Sequence, residues 1–145
     1  MQNLKVFLVE DDEIYAMILA QKLKLFGNLM VFTFGTGESA LEQLVSYPDI
    51  DVVILDYDLP GISGLETLQK IKGMGHQAKV LFLSGIDNES IIQECMRNGA
   101  HEFIHKDKDV AQKVYMGITE IMENEAANAK KKKGFLGGFF GKLRG

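Results

Sequence analysis

Residues 51–58 read DVVILDYD. The run DVVIL (51–55) is too short for an ordinary helix. It is also too continuously apolar for a strand with one wet face. Such a run fits a strand covered on both sides, as in a parallel sheet, and it leads directly into the carboxylate of Asp56. Three further runs have the same character: KVFLV (5–9), LMVFTF (29–34) and KVLFL (79–83).

Helical patterns separate these runs. Ile14, Met17, Ile18 and the stretch Ala20–Leu25 give one apolar face. Ala40, Leu41, Leu44 and Val45 give a second, and Leu65, Leu68 and Ile71 a third after Gly64. Ile91, Ile92, Cys95 and Met96 give a fourth behind Asp87 or Asn88, either of which can cap. Val110, Val114, Ile118, Ile121 and Met122 give the last. Regular β-α repetition of this kind predicts an α/β fold with right-handed crossovers.

HEFIH (101–105) matches the H-E-x-x-H pattern of zinc proteases, which needs a helix so that both imidazoles reach one metal. Gly99 is a natural helix terminator, and only Phe103 and Ile104 are apolar before KDKD. The alternation therefore predicts a short fifth strand here. On a strand the two histidines stand roughly 13 Å apart, too far to share one zinc. GTGESA (35–40) resembles a dinucleotide-binding glycine loop but lacks the acidic partner after the next strand, and reads as a strand-to-helix turn.

The chain has 145 residues and a formal net charge of −4. That sum hides a split. Residues 1–125 carry 10 basic and all 20 acidic side chains, whereas residues 126–145 carry six basic side chains and no acid. An acidic body argues against nucleic acid as its partner. The single cysteine, Cys95, excludes an intramolecular disulfide and suits a reducing compartment, here expected to be the cytoplasm. No secretory leader and no membrane-spanning run are visible.

The chemistry concentrates at strand ends, where ligands bind in open α/β sheets. The first strand runs into Glu10-Asp11-Asp12-Glu13, the third into Asp56, the fourth into Ser84 and the fifth into Lys106. Each residue alone has an ordinary explanation as a cap, a turn or a wet surface group. Four matching strand ends together predict a site. Clustered carboxylates need a positive charge, and a hard divalent cation such as Mg²⁺ takes oxygen ligands of this kind. A hydroxyl and a mobile lysine suit phosphoryl oxygens. A flavodoxin-like cofactor binder is a rival reading, but a flavin phosphate would be repelled by the four acids in the loop it would need.

LVEDDE (8–13), ILDYDLPGISG (54–64), LFLSG (81–85), AHEFIHK (100–106) and GTGESALEQL (35–44) together resemble the receiver domain of two-component response regulators, over roughly residues 3–124. The resemblance implies a flavodoxin-like five-stranded parallel sheet of order 2-1-3-4-5 with helices on both faces. It implies Asp56 as phosphoacceptor, taking a phosphoryl group from a sensor histidine kinase or a histidine phosphotransfer protein. Glu10, Asp11, Asp56 and the carbonyl of Asp58 would hold Mg²⁺, with Asp12 able to share or exchange a role within the run of acids. Ser84 and Lys106 would hold phosphoryl oxygens. Ser84 and Phe103 would form the switch coupling phosphorylation to a surface that binds a downstream protein target. Asp58 and Ile86 would tune dephosphorylation. The expected function is that of a stand-alone regulator, a phosphoacceptor signalling protein that assists its own phosphorylation and dephosphorylation and is not otherwise an enzyme. The alternative is a receiver-like adaptor acting without phosphorylation. Asp107 stands where many receivers have proline, so the Lys106–Asp107 peptide is expected to be either trans or a strained cis bond.

Residues 125–145 read as a basic, Gly/Phe-rich tail. In KKKKGFLGGFFGKLRG (130–145), Phe135, Leu136, Phe139, Phe140 and Leu143 recur at helical spacing beside lysines, while five glycines oppose an isolated helix. Three readings stand open: a weak anchor to anionic membranes, a peptide that docks on a partner, and a solvated tail with neither role.

Overall fold

The computed structural model describes residues 3–144, and side chains through Gly134. Five strands alternate with five helices: β1 (Leu4–Val9), α1 (Glu13–Phe26), β2 (Leu29–Phe34), α2 (Gly37–Ser46), β3 (Val52–Asp56), α3 (Gly64–Gly73), β4 (Lys79–Ser84), α4 (Glu89–Arg97), β5 (Glu102–His105) and α5 (Val110–Arg144). All strand pairs are parallel, in the order β2-β1-β3-β4-β5. HEFIH lies on β5 as a strand, so its histidines are not the paired ligands of a helix.

Period-two alternation divides the core into two layers. Val6, Leu8, Val52, Ile54, Leu81, Leu83 and Ile104 face α1 and α5. Phe7, Val9, Val53, Leu55, Val80, Phe82 and the half-buried Phe103 face the layer that contains Ala40, Leu44, Leu68, Ile71 and Cys95. β3 is buried at every position, as its continuous apolar run requires.

Helix starts follow from local chemistry. Asp12, Thr36, Ser63 and Asn88 each accept a backbone N–H of the first turn of α1, α2, α3 and α4. Gly99 ends α4 at a φ of 100°, a conformation that favours glycine.

Two expectations need correction. The apolar face read for α1 packs only in part, through Ala20 and Leu23. Ala16, Leu19, Ala20 and Leu23 are buried, whereas Ile14 is 68% exposed, Leu25 87%, and Met17 and Ile18 are also exposed. Two alanines on the packing side let the helix sit close to the sheet, so its bulkier residues face outward. Likewise Val45 and Met96 are exposed. The last helix does not stop near Met122 but continues to Arg144. Once a docked helix is nucleated, adding residues costs little, and the stretch 123–133 is rich in Ala, Glu and Lys.

Candidate functional site

The alternation that divides the core also sorts the polar strand ends. Glu10, Asp56 and Lys106 continue the parity of Leu8, Ile54 and Ile104, so they emerge toward α1 and α5. Ser84 and Phe103 carry the opposite parity, shared with Phe82. Two groups of functional candidates thus leave the same sheet edge on different faces.

On the first face, Glu10 and Asp56 are each only 4% exposed. Lys106 Nζ donates to Glu10 Oε2 at 3.2 Å, to Glu10 Oε1 at 3.3 Å and to Asp56 Oδ2 at 3.1 Å. The other Asp56 oxygen, Oδ1, accepts the backbone N–H of Asp58 at 3.1 Å. Oxygens of Glu10, Asp11 and Asp56 lie within 4.8 Å of one another, and among the described residues this is the one group of three such side chains placed to hold a metal. Asp12 is engaged elsewhere, since its carboxylate accepts from Tyr15 N at 3.0 Å and caps α1. Three converging carboxylates are a hard oxygen donor set, which fits Mg²⁺.

The electrostatics show an imbalance of charge. Burial, then the adjoining Asp56 carboxylate, push the Glu10 carboxyl up to about 8, even though Lys106 pulls it down. Burial works against the Lys106 ammonium, but the charges of Asp56 and Glu10 outweigh it and hold its pKa above the ordinary value. One lysine therefore does not neutralise this pocket, and a divalent cation would.

Sequence reasoning missed three residues here. The Tyr15 ring lies beneath the Lys106 ammonium at 4.7 Å, a cation–π contact that steadies the lysine. Nothing in a lone tyrosine on the first turn of a helix announces that contact. Glu38 on α2 accepts Ile62 N at 2.6 Å and so pins the loop between β3 and α3, in which Gly61 has a φ of 73°. Gly64 admits no side chain, because a Cβ there would stand 2.4 Å from the Asp56 carbonyl oxygen and 2.9 Å from Tyr57 Cα. Of these, only Gly64 was legible, as a glycine at a helix start close behind the acceptor strand.

On the second face, the buried Ser84 hydroxyl accepts Ile86 N at 3.0 Å. None of the described hydrogen bonds joins it to the carboxylates. Phe103 packs on Phe82 with ring centroids 6.3 Å apart. Asp58 is exposed. No cis peptide is present among the described residues, so Lys106–Asp107 is trans.

The 2-1-3-4-5 parallel sheet, with an acidic pocket and a lysine at its carboxyl end, defines a doubly wound α/β module of the flavodoxin-like class. The chain belongs to the response regulator receiver domain family, whose model matches residues 6–115. It is 34% identical over 119 residues to a cyclic di-GMP phosphodiesterase of Thermotoga maritima, covering 82% of this chain and 31% of that protein. It is 30% identical over 123 residues to the Fimbriae Z protein of Salmonella typhimurium, covering 84% of this chain and 58% of that protein. The chain thus spans only about a third to just over half of these two relatives. Among solved structures, the CheX-CheY-BeF3-Mg+2 complex from Borrelia burgdorferi superposes with a TM-score of 0.74 at 28% identity, over 82% of this chain and 89% of that one. A receiver domain protein from Clostridium thermocellum superposes at 0.78 with 24% identity, over 86% and 98% of the two chains. Among the described residues no helix is long and apolar enough to cross a membrane.

Proposed function

We propose that this chain is a response regulator receiver that takes a phosphoryl group onto Asp56 from a phosphohistidine of a sensor kinase or phosphotransfer protein. The observation that carries the reading is the pairing of a nearly buried Asp56 with Lys106 at 3.1 Å, beside two further carboxylates. Mg²⁺ bound by Glu10, Asp11, Asp56 and the Asp58 carbonyl would neutralise phosphoryl charge. The chain's own residues do the rest. The N–H of Asp58 and the ammonium of Lys106 orient the Asp56 carboxylate, one oxygen of which attacks phosphorus as the P–N bond to the donor imidazole breaks, forming an acyl phosphate and releasing the histidine, which takes up a proton from water. Lys106 then follows the charge to the phosphoryl oxygens, and the Ser84 hydroxyl leaves Ile86 N to donate to another. The cytoplasm, where the buried Cys95 stays reduced, is the compartment this reading assigns.

The output is a protein surface. Phe103 shares a face with Ser84, and its ring is only partly buried against Phe82; it would turn inward when Ser84 moves. A downstream protein would read α4, β5 and α5. Amide spectra recorded with Mg²⁺ and beryllofluoride test this. The expected result is a shift at Ser84, Ile86, Phe103 and α4 that is absent in Asp56→Asn. Shifts confined to the loops around Glu10 and Asp56 would contradict the switch and leave the adaptor reading.

A further inference from the structure

The acidic pocket and the basic end of α5 lie at opposite ends of the sheet. Glu10, Asp56 and Lys106 stand at the carboxyl ends of the strands. α5 runs back the other way, and Glu125 reaches Pro48–Asp51 and Gln77, at the amino ends of β3 and β4. Every residue from Glu123 to Gly134 is exposed. The α5 backbone remains helical to Arg144.

That continuity gives the sequence of the segment a geometry. At 3.6 residues per turn, positions 135, 136, 139, 140 and 143 fall within one arc of about 140°. These positions are Phe, Leu, Phe, Phe and Leu. Glycines 134, 137, 138 and 141 fall in the opposite arc, and Lys142 and Arg144 flank the apolar one. Lys130–Lys133 precede it, and residues 126–145 contain no acid. A bulky apolar arc, a polar arc without bulk and cations at the borders suit a planar interface between headgroups and acyl chains.

We infer that residues 130–144 bind an anionic lipid surface through this apolar arc and its flanking cations. Charge complementarity selects the partner: six cations meet anionic headgroups, while the body itself is strongly acidic and would be repelled. Along the helix axis the apolar segment is set apart from the acidic body, Phe135 lying about 15 Å beyond Glu125 at 1.5 Å per residue. The pocket, at the far end of the sheet, stays open to a phosphodonor. Membrane attachment would therefore localise the regulator without blocking its chemistry.

The test is co-sedimentation of the full chain with vesicles of phosphatidylcholine and phosphatidylglycerol, and of phosphatidylcholine alone. Wild type is expected to pellet with the anionic vesicles, to be released by salt, and to remain in solution with the neutral ones. Replacing Lys130–Lys133 with glutamine should weaken partitioning roughly fivefold per lysine. Phe139→Ser with Phe140→Ser should abolish it. Both variants should still accept phosphate from acetyl phosphate on Asp56, which shows that the body is folded. Vesicle-bound wild type should be phosphorylated at the rate of the free protein. The inference fails if wild type stays soluble with anionic vesicles, as it would if an acidic protein were the true partner. It also fails if the Phe139/Phe140 variant pellets like wild type, or if binding blocks phosphorylation.

Discussion

Replacing Glu10 with glutamine tests whether the acidic pocket is an electrostatic burden that a divalent cation lifts. Glu10 is buried, and its carboxyl is raised from an ordinary 4.5 to about 8 by burial and by Asp56. The unfolded chain loses that proton near 4.5. Between 4.5 and about 8 the native state therefore holds a proton that the unfolded chain has already released, and rising pH favours unfolding across this window. The full gap corresponds to about 5 kcal/mol at roughly 1.36 kcal/mol per pH unit. Relaxation and water entry reduce buried-charge penalties, so we expect about 2 kcal/mol to be measurable. The glutamine side chain keeps the shape; its carbonyl accepts from Lys106, the second Lys106 contact is given up, and its amide offers a donor to the adjoining Asp56 carboxylate. In EDTA, urea denaturation should find Glu10→Gln more stable than wild type above pH 8, with the difference closing toward pH 4.5. Excess Mg²⁺ should reverse the order, because the cation stabilises the folded state that binds it better. A variant less stable than wild type at high pH in EDTA, or a difference that does not change with pH, would refute the reasoning.

Three further predictions concern the scaffold. Gly64→Ala places a methyl group against the backbone of Asp56 and Tyr57. It should cost about 1–3 kcal/mol by thermal denaturation and weaken Mg²⁺ binding by titration. Glu38→Gln weakens the hold on Ile62 N, so amide exchange at Gly61 and Ile62 should quicken while the amides of β3 stay protected. Leu19→Ala should cost about 2–5 kcal/mol, whereas Ile14→Ser, on the exposed side of α1, should stay within about 0.5 kcal/mol. Equal losses at the two positions would overturn the packing assigned to α1.

Strand content was legible because burial on both faces leaves little choice of residue. KVFLV, LMVFTF, DVVIL and KVLFL each fall on their strands to within a residue at either end. HEFIH was legible only through its neighbours, since Gly99 before it and KDKD after it leave room for a strand and not a helix. The helix faces were harder. In α1 apolar residues surround the helix, so periodicity cannot choose between the Ala16/Leu19/Leu23 side and the Ile14/Ile18/Leu25 side; close packing on the sheet chooses the alanines. The site's members could be read from strand ends, but their grouping could not. Only the register and parity of the folded strands separate the Glu10–Asp56–Lys106 group from Ser84 and Phe103. The two contacts that lock the site, Tyr15 beneath Lys106 and Glu38 on Ile62, are long-range and leave no local signature. The length of α5 was misjudged for a different reason. Glycines oppose nucleation of an isolated helix, but here the helix is nucleated far upstream on the sheet.

The central claim is that Asp56 is a phosphoacceptor, and intact mass spectrometry after incubation with Mg²⁺ and acetyl phosphate tests it most directly. Wild type is expected to gain a single phosphate adduct that is absent when EDTA is present and absent in Asp56→Asn. A folded wild-type protein that gains no phosphate, or an adduct that persists in Asp56→Asn, would contradict it.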